Sequence, residues 1–238
     1  MRKMKKFGTS VKMIAHRGFS VRERENTAAA FIAAGNRSFY GIECDIRLTR
    51  DDVFVVCHDA DTGRVAPEKH AIRDLTYQEL LAVNLYDTDH EPKPYLKVPT
   101  LREYLTIAMK YRKHCFIELK PKFSDDELKR FLEEISLYGS VDMITVISFN
   151  YSNLARLRKL SPDLSMQFLM GELPEDAIAL CESIGAGADV HYKNVTKKDI
   201  ARFHKHGIAV NVWTIDDPTI ARQFARWKVD YITTNALE

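Results

Sequence analysis

A closed (β/α)8 barrel of the TIM type, with a short insertion after its second strand, is the fold that this 238-residue sequence predicts. Three observations carry the prediction. Strand-like and helix-like segments alternate almost from end to end, the pattern of a parallel sheet wound through crossover helices. The length suits one such barrel, which typically runs to about 250 residues. Four short polar motifs each close an apolar strand-like run, and the C-terminal ends of barrel strands are where this architecture carries its chemistry. An open doubly wound sheet is the alternative. The sequence has neither a Gly-x-Gly-x-x-Gly turn after the first strand nor a phosphate-loop motif to support it.

The predicted strands are 12–17, 41–48, 53–58, 115–120, 143–149, 165–170, 188–193, 207–215 and 229–234. Eight serve as barrel strands. The run 53–58 follows Arg50-Asp51-Asp52 and is expected to fold back on the second strand as a hairpin. Helix starts are legible between them. Asn26-Thr27 precedes Ala28-Ala29-Ala30-Phe31, and Thr76-x-x-Glu79, Thr100-x-x-Glu103 and Ser124-x-x-Glu127 are capping boxes. Asp217 places a cap before Pro218, whose missing N–H costs nothing in the first helical turn. Leu173-Pro174-Glu175-Asp176 opens the helix before Cys181. The stretch from about 60 to 99 has weak patterning and holds Pro67, Pro92, Pro94 and Pro99, so it reads as an excursion from the barrel. Residues 1–238 are therefore expected to form a single barrel domain with that insertion inside it.

Composition excludes little but bounds the rest. A net charge of +2 gives no global argument for nucleic acid, and the basic cluster Arg2, Lys3, Lys5, Lys6 reads as a frayed terminus. No run approaches the ~20 apolar residues of a membrane span. The basic start is followed by Phe7-Gly8-Thr9-Ser10 rather than an apolar segment, so no signal peptide is expected. Cys44, Cys57, Cys115 and Cys181 show no paired spacing and read as buried free thiols of a cytoplasmic protein.

The chemistry sits in His16-Arg17-Gly18, Glu43-x-Asp45, His58-Asp59 and Glu118-x-Lys120. Side chains alternate along a strand, so Glu43, Asp45 and Arg47 share one face, opposite Ile42, Cys44 and Ile46. Glu118 and Lys120 likewise oppose Ile117 and Leu119. Three carboxylates can thus converge near the barrel axis. They repel one another unless a cation lies between them, and oxygen ligands alone suit Mg²⁺ or Ca²⁺. A salt-bridge network with Arg17, Arg47 and Lys120 is the plain structural alternative, and a zinc site using His16, His58 and Asp45 a weaker one. His16 and His58 are natural proton carriers, because imidazole titrates near neutrality. Arg17 and Lys120 add positive charge suited to a phosphate. Trp213 ends the run Val210-Asn211-Val212 and either walls the pocket or packs as core. His191 is expected near the pocket, with His70, His90, His114, His204 and His206 on the surface or in loops.

Taken in order, His16-Arg17-Gly18, Glu25-Asn26-Thr27, Glu43-x-Asp45, His58-Asp59, Glu118-x-Lys120 and Trp213-Thr214 resemble the glycerophosphodiester phosphodiesterases. The resemblance runs from about residue 12 to the end. It implies a divalent metal held by Glu43, Asp45 and Glu118, with His16 and His58 as the acid–base pair and Arg17 and Lys120 on the phosphate. It also implies a small-molecule glycerophosphodiester substrate, cleaved to sn-glycerol 3-phosphate and an alcohol. Three places depart from the family pattern. Arg24 stands where a proline is usual, Asp52 where a turn glycine is usual, and Thr234-Asn235-Ala236-Leu237 where Thr-Asp-x-Pro is usual. These departures are expected to alter the mouth of the site and to leave the acid, base and metal ligands untouched. Rival readings are a metal-independent phospholipase C-like phosphodiesterase, a Schiff-base aldolase using Lys120, and a phosphate-binding barrel without catalysis.

Overall fold

A computed structural model describes residues 11–238 and shows eight parallel strands closed into a barrel. In chain order these are β1 (Lys12–Ala15), β2 (Gly41–Leu48), β6 (His114–Leu119), β7 (Ile144–Ser148), β8 (Ser165–Met170), β9 (Gly187–His191), β10 (Val210–Trp213) and β11 (Tyr231–Thr234). Closure is direct: β1 pairs in parallel with β2 on one side and with β11 on the other. The hairpin strand β3 (Phe54–Val56) runs antiparallel to β2, matching Ile46 to Val56. Its turn carries Asp52 at φ 60°, a left-handed conformation that Asp tolerates better than most residues. Arg73 steadies that residue through a 2.9 Å ion pair.

Helices α1 (Ala28–Gly35), α3 (Leu101–Lys110), α4 (Asp125–Tyr138), α5 (Tyr151–Leu160), α6 (Ala177–Ser183), α7 (Lys197–Lys205) and α8 (Pro218–Arg226) connect the barrel strands. Capping chemistry sets most of their starts. Thr27, Asn150 and Asp217 each accept a backbone N–H of the first turn. Ser124 and Glu127 form a full reciprocal box, whereas Thr100 accepts from Glu103 without the return bond. A box built with Asp instead of Glu, Thr196 and Asp199, starts α7. The outward faces of the strands supply the main core: Ile42, Cys44 and Ile46 are fully buried, as are Leu101, Tyr104 and Leu105 of α3. Each such aliphatic side chain contributes about 1.5–3 kcal/mol of burial. The Tyr104 hydroxyl would be costly there without a partner, and it donates to the Ile42 carbonyl at 2.6 Å.

Between β3 and α3 the chain makes its excursion. It holds α2 (Tyr77–Leu80), whose Thr76–Glu79 capping box is complete, and a two-stranded pair, β4 (Leu85–Tyr86) with β5 (Pro92–Lys93). Val55, Cys57, Leu80, Leu85, Leu96 and Val98 give it a small core of its own. All four cysteines are buried and free. The basic residues Arg2 to Lys6 lie outside the described residues. Among the described residues no helix is long and apolar enough to cross a membrane.

His114 departs from its expected surface location. It is half-buried inside the N-terminal end of the barrel, stacked on Tyr40 at 5.3 Å and bonded through Nε2 to Thr145 at 2.8 Å. As the first residue of β6 it faces the barrel interior, and burial holds its pKa down at about 4.

Candidate active site

The polar motifs meet at the C-terminal mouth of the barrel. Parallel register places Asp45 of β2 opposite Glu118 of β6. Glu43, Asp45 and Glu118 each bring a ligand oxygen within 4.8 Å of the others, and all three residues are buried. β1 stops at Ala15, so His16, Arg17 and Gly18 form the turn that follows it. Arg17 sits at φ 55°, an uncommon conformation for a non-glycine residue. There its backbone N–H donates to Glu43 Oε2 at 2.8 Å. Its guanidinium pairs with Glu25 at 2.8 Å and with Asp45 at 3.3 Å. Gly18 follows at φ 80° and passes so close to α1 that a Cβ would lie 2.7 Å from Ala30 atoms, so only glycine fits. Lys120, one residue beyond β6, pairs with Glu118 at 2.8 Å and approaches Asp45 at 3.5 Å.

The electrostatics of the acid cluster are unbalanced. Burial, then repulsion from Asp45 and Glu118, pushes the Glu43 pKa well up. Burial and the Asp45 charge raise Glu118 to about 7, against the pull of Lys120. Burial would raise Asp45 too, but Arg17, Lys120 and His58 hold it down at about 2. One Asp45 oxygen, Oδ1, is buried without a hydrogen-bond partner, while Oδ2 accepts from Asn26 at 2.8 Å. Three buried acids share two cations, and Glu25 also draws on Arg17. An all-oxygen donor set with an orphaned oxygen and mutual repulsion fits a hard divalent cation. Neither imidazole belongs to this group of acids, which argues against the zinc alternative.

His16 and His58 line the same cleft as Arg17, Glu43, Glu118, Lys120, Phe149 and Trp213. His16 Nδ1 lies 2.8 Å from Asn235 Oδ1. The Asn235 Nδ2 donates to Asp216 at 2.7 Å, which fixes the amide with its oxygen toward His16. His16 Nδ1 therefore carries the hydrogen, leaving Nε2 as the free lone pair. Burial and the neighbouring Arg17 charge hold the His16 pKa down at about 4. His58 Nδ1 instead meets a carboxylate, Asp59 Oδ1, at 2.7 Å. Its pKa is lowered by burial, with Asp45 and Asp59 opposing and Arg17 and Lys120 adding to the fall. Arg47 does not join the acids. It clamps the His58 carbonyl with two hydrogen bonds of 2.6 and 3.1 Å.

Trp213 lines the cleft, donates Nε1 to the Asp189 carbonyl and packs edge-on to Phe149. His191 lies beside it, ring to ring at 5.1 Å, rather than among the lining residues. The expectation that the residues after the last strand leave the acid–base pair untouched is corrected, because Asn235 is the hydrogen-bond partner of His16. Of the other departures, Arg24 donates to the Tyr86 and Asp87 carbonyls and ties the excursion to the first loop, whereas Asp52 pairs with Arg73 at the hairpin turn. Several of the residues gathered here had no expected role. Asn26 and Asn235 reveal theirs only through long-range partners. Asp189, an acid within the strand Gly187–His191, carried the same signal as Glu43 and Asp45.

A barrel with two imidazoles, fixed cations and an acid cluster at its mouth has the residues that an enzyme acting on an anionic ester would use. The sequence model of the glycerophosphoryl diester phosphodiesterase family matches residues 16–238, and this chain belongs to that family. A glycerophosphodiester phosphodiesterase of Bacillus altitudinis is 26% identical over 234 residues, covering 94% of each chain. A crystal structure of a glycerophosphodiester phosphodiesterase from Parabacteroides distasonis shares 30% identity with a TM-score of 0.81, covering 95% of this chain and 93% of that one. An Oleispira antarctica phosphodiesterase, solved in complex with the product sn-glycerol 3-phosphate, has the same fold at TM-score 0.88 and 22% identity, covering 94% and 92%.

Proposed function

We propose that this enzyme hydrolyses a glycerophosphodiester to sn-glycerol 3-phosphate and an alcohol, using His16 and His58 as base and acid. The observation that carries the reading is the shared cleft: two imidazoles, one held by an amide and one by a carboxylate, open beside three acids and two cations. Glu43, Asp45 and Glu118 would hold one divalent cation, Mg²⁺ or Ca²⁺. Such an ion polarises a phosphoryl oxygen and lowers the pKa of a hydroxyl beside it.

His16, neutral and with Nε2 free, takes the proton from the nucleophile. His58, its Nδ1 held by the Asp59 carboxylate, gives a proton to the departing alkoxide. The P–O bond to the alcohol breaks as the bond to the nucleophile forms. With the substrate's 2-hydroxyl as nucleophile, the product is a cyclic phosphate that water opens with the two imidazoles exchanging roles. One water is consumed overall. Arg17 and Lys120 stabilise the charge that builds on the phosphoryl oxygens. Phe149 and Trp213 form an aromatic wall of the cleft. Four buried free thiols suit a reducing compartment, and the reading places the reaction in the cytoplasm.

The test is a coupled assay for sn-glycerol 3-phosphate release from several glycerophosphodiesters. Release by the wild-type enzyme is expected. Tight substrate binding without release would overturn the reading in favour of a binding protein.

A further inference from the structure

Opposite the acid cluster, the inner face of β9 carries one more carboxyl. Asp189 is 1% exposed, yet it lines the same cleft as His16, His58 and Lys120. Its Oδ1 has no hydrogen-bond partner, an expensive state for a buried polar atom. It stands outside the group formed by Glu43, Asp45 and Glu118. The polar residues around it are largely engaged with one another. Asn211 Nδ2 donates to Gln167 at 3.2 Å, and Asn211 Oδ1 accepts from Thr233 at 3.2 Å. The remaining wall on this side is apolar, formed by Ile147, Leu169 and Trp213. A buried carboxyl steadied only by Asn211, with its Oδ1 left without a partner, is a position kept for a ligand's hydrogen-bonding group in an otherwise satisfied pocket floor.

On the reading given above, we infer that Asp189 is a specificity-determining residue that receives the terminal hydroxyl of the substrate's glycerol unit. The hydroxyl next to the phosphate is needed beside the acid cluster, where it serves as nucleophile. The terminal hydroxyl is one carbon further on and must meet another part of the floor. A hydroxyl is also the group that fits either form of the acid, since it donates to a carboxylate and accepts from a carboxylic acid. The departing alcohol then points past Phe149, which is 47% exposed at the rim. Selection for glycerol over a simpler diol thus resides on the opposite wall of the barrel from the reacting groups.

Two p-nitrophenyl phosphodiesters separate this role from a structural one. One carries glycerol. The other carries 2-hydroxypropyl, which keeps the nucleophilic hydroxyl and lacks only the terminal one. Wild type is expected to prefer the glycerol ester in kcat/KM by about ten- to a hundredfold, the scale of leaving a buried polar group without its hydrogen bond. In Asp189→Leu the ratio of the two falls to near one, and in the isosteric Asp189→Asn, which guards against misfolding, it falls part of the way. Calorimetric binding of sn-glycerol 3-phosphate against 2-hydroxypropyl phosphate is expected to show the same loss of preference, independently of turnover. A wild-type enzyme that cleaves neither ester but keeps this binding preference, and loses it in the variants, sinks the proposed activity and leaves Asp189 its role. An unchanged ratio in both variants, or equal losses on both ligands, overturns the inference.

Discussion

Replacing Glu118 by Gln tests the acid cluster without chemistry. The side chain keeps its shape and an oxygen for Lys120, but it can no longer ionise. In the folded protein burial and Asp45 raise Glu118 from 4.5 to about 7. A carboxyl raised in this way contributes its full stability below its unfolded pKa and loses it as the pH climbs through the folded one. The shift corresponds to about 3 kcal/mol at 1.36 kcal/mol per unit. Metal-free wild type is therefore expected to lose up to about 3 kcal/mol between roughly pH 4.5 and pH 7 from this group. E118Q lacks that loss. Urea unfolding in chelator should show E118Q gaining on wild type by about that amount as the pH rises. Saturating Mg²⁺ or Ca²⁺ should reverse the order, because a ligand bound only by the folded state stabilises by mass action and wild type binds it better. A gap between the two proteins that does not change with pH would refute the argument. So would equal stabilisation of both by the ion.

Three further outcomes are expected. His16→Ala and His58→Ala should each lower turnover at least about a hundredfold, the usual scale of acid–base catalysis, and near-wild-type turnover in either removes that residue from its role. Exhaustive chelation should abolish release of sn-glycerol 3-phosphate, with recovery on adding Mg²⁺ or Ca²⁺; full activity without metal would favour the phospholipase C-like alternative. Gly18→Ala places a methyl 2.7 Å from the backbone of Ala30 at a positive φ, and should lower the unfolding free energy by more than about 1 kcal/mol, read from the urea midpoint.

Strands whose apolar residues run up to a polar end were readable because their periodicity is local. The alternation that sets Glu43 and Asp45 against Ile42 and Cys44 is the alternation found in β2. Capping residues marked helix starts for the same reason, and where one failed, at Thr100, only the return bond was missing. The small elements of the excursion were not legible, since two-residue strands such as Leu85–Tyr86 carry no period. His114 was misjudged because a histidine opening a strand looks alike whether it faces solvent or the barrel interior. Asn235 and Asn26 took their meaning from partners 219 and 19 residues away. No pattern within a short window reports such a pairing.

The bond between His16 and Asn235 spans the chain almost end to end. The first imidazole thus depends on an amide 219 residues further along the chain. A fragment that stops short of residue 235 therefore carries both histidines and all three acids, yet lacks the amide that sets the tautomer of His16. Asn235 directly follows β11, the strand that closes the barrel on β1, so the same stretch of chain completes the sheet and orients the first imidazole.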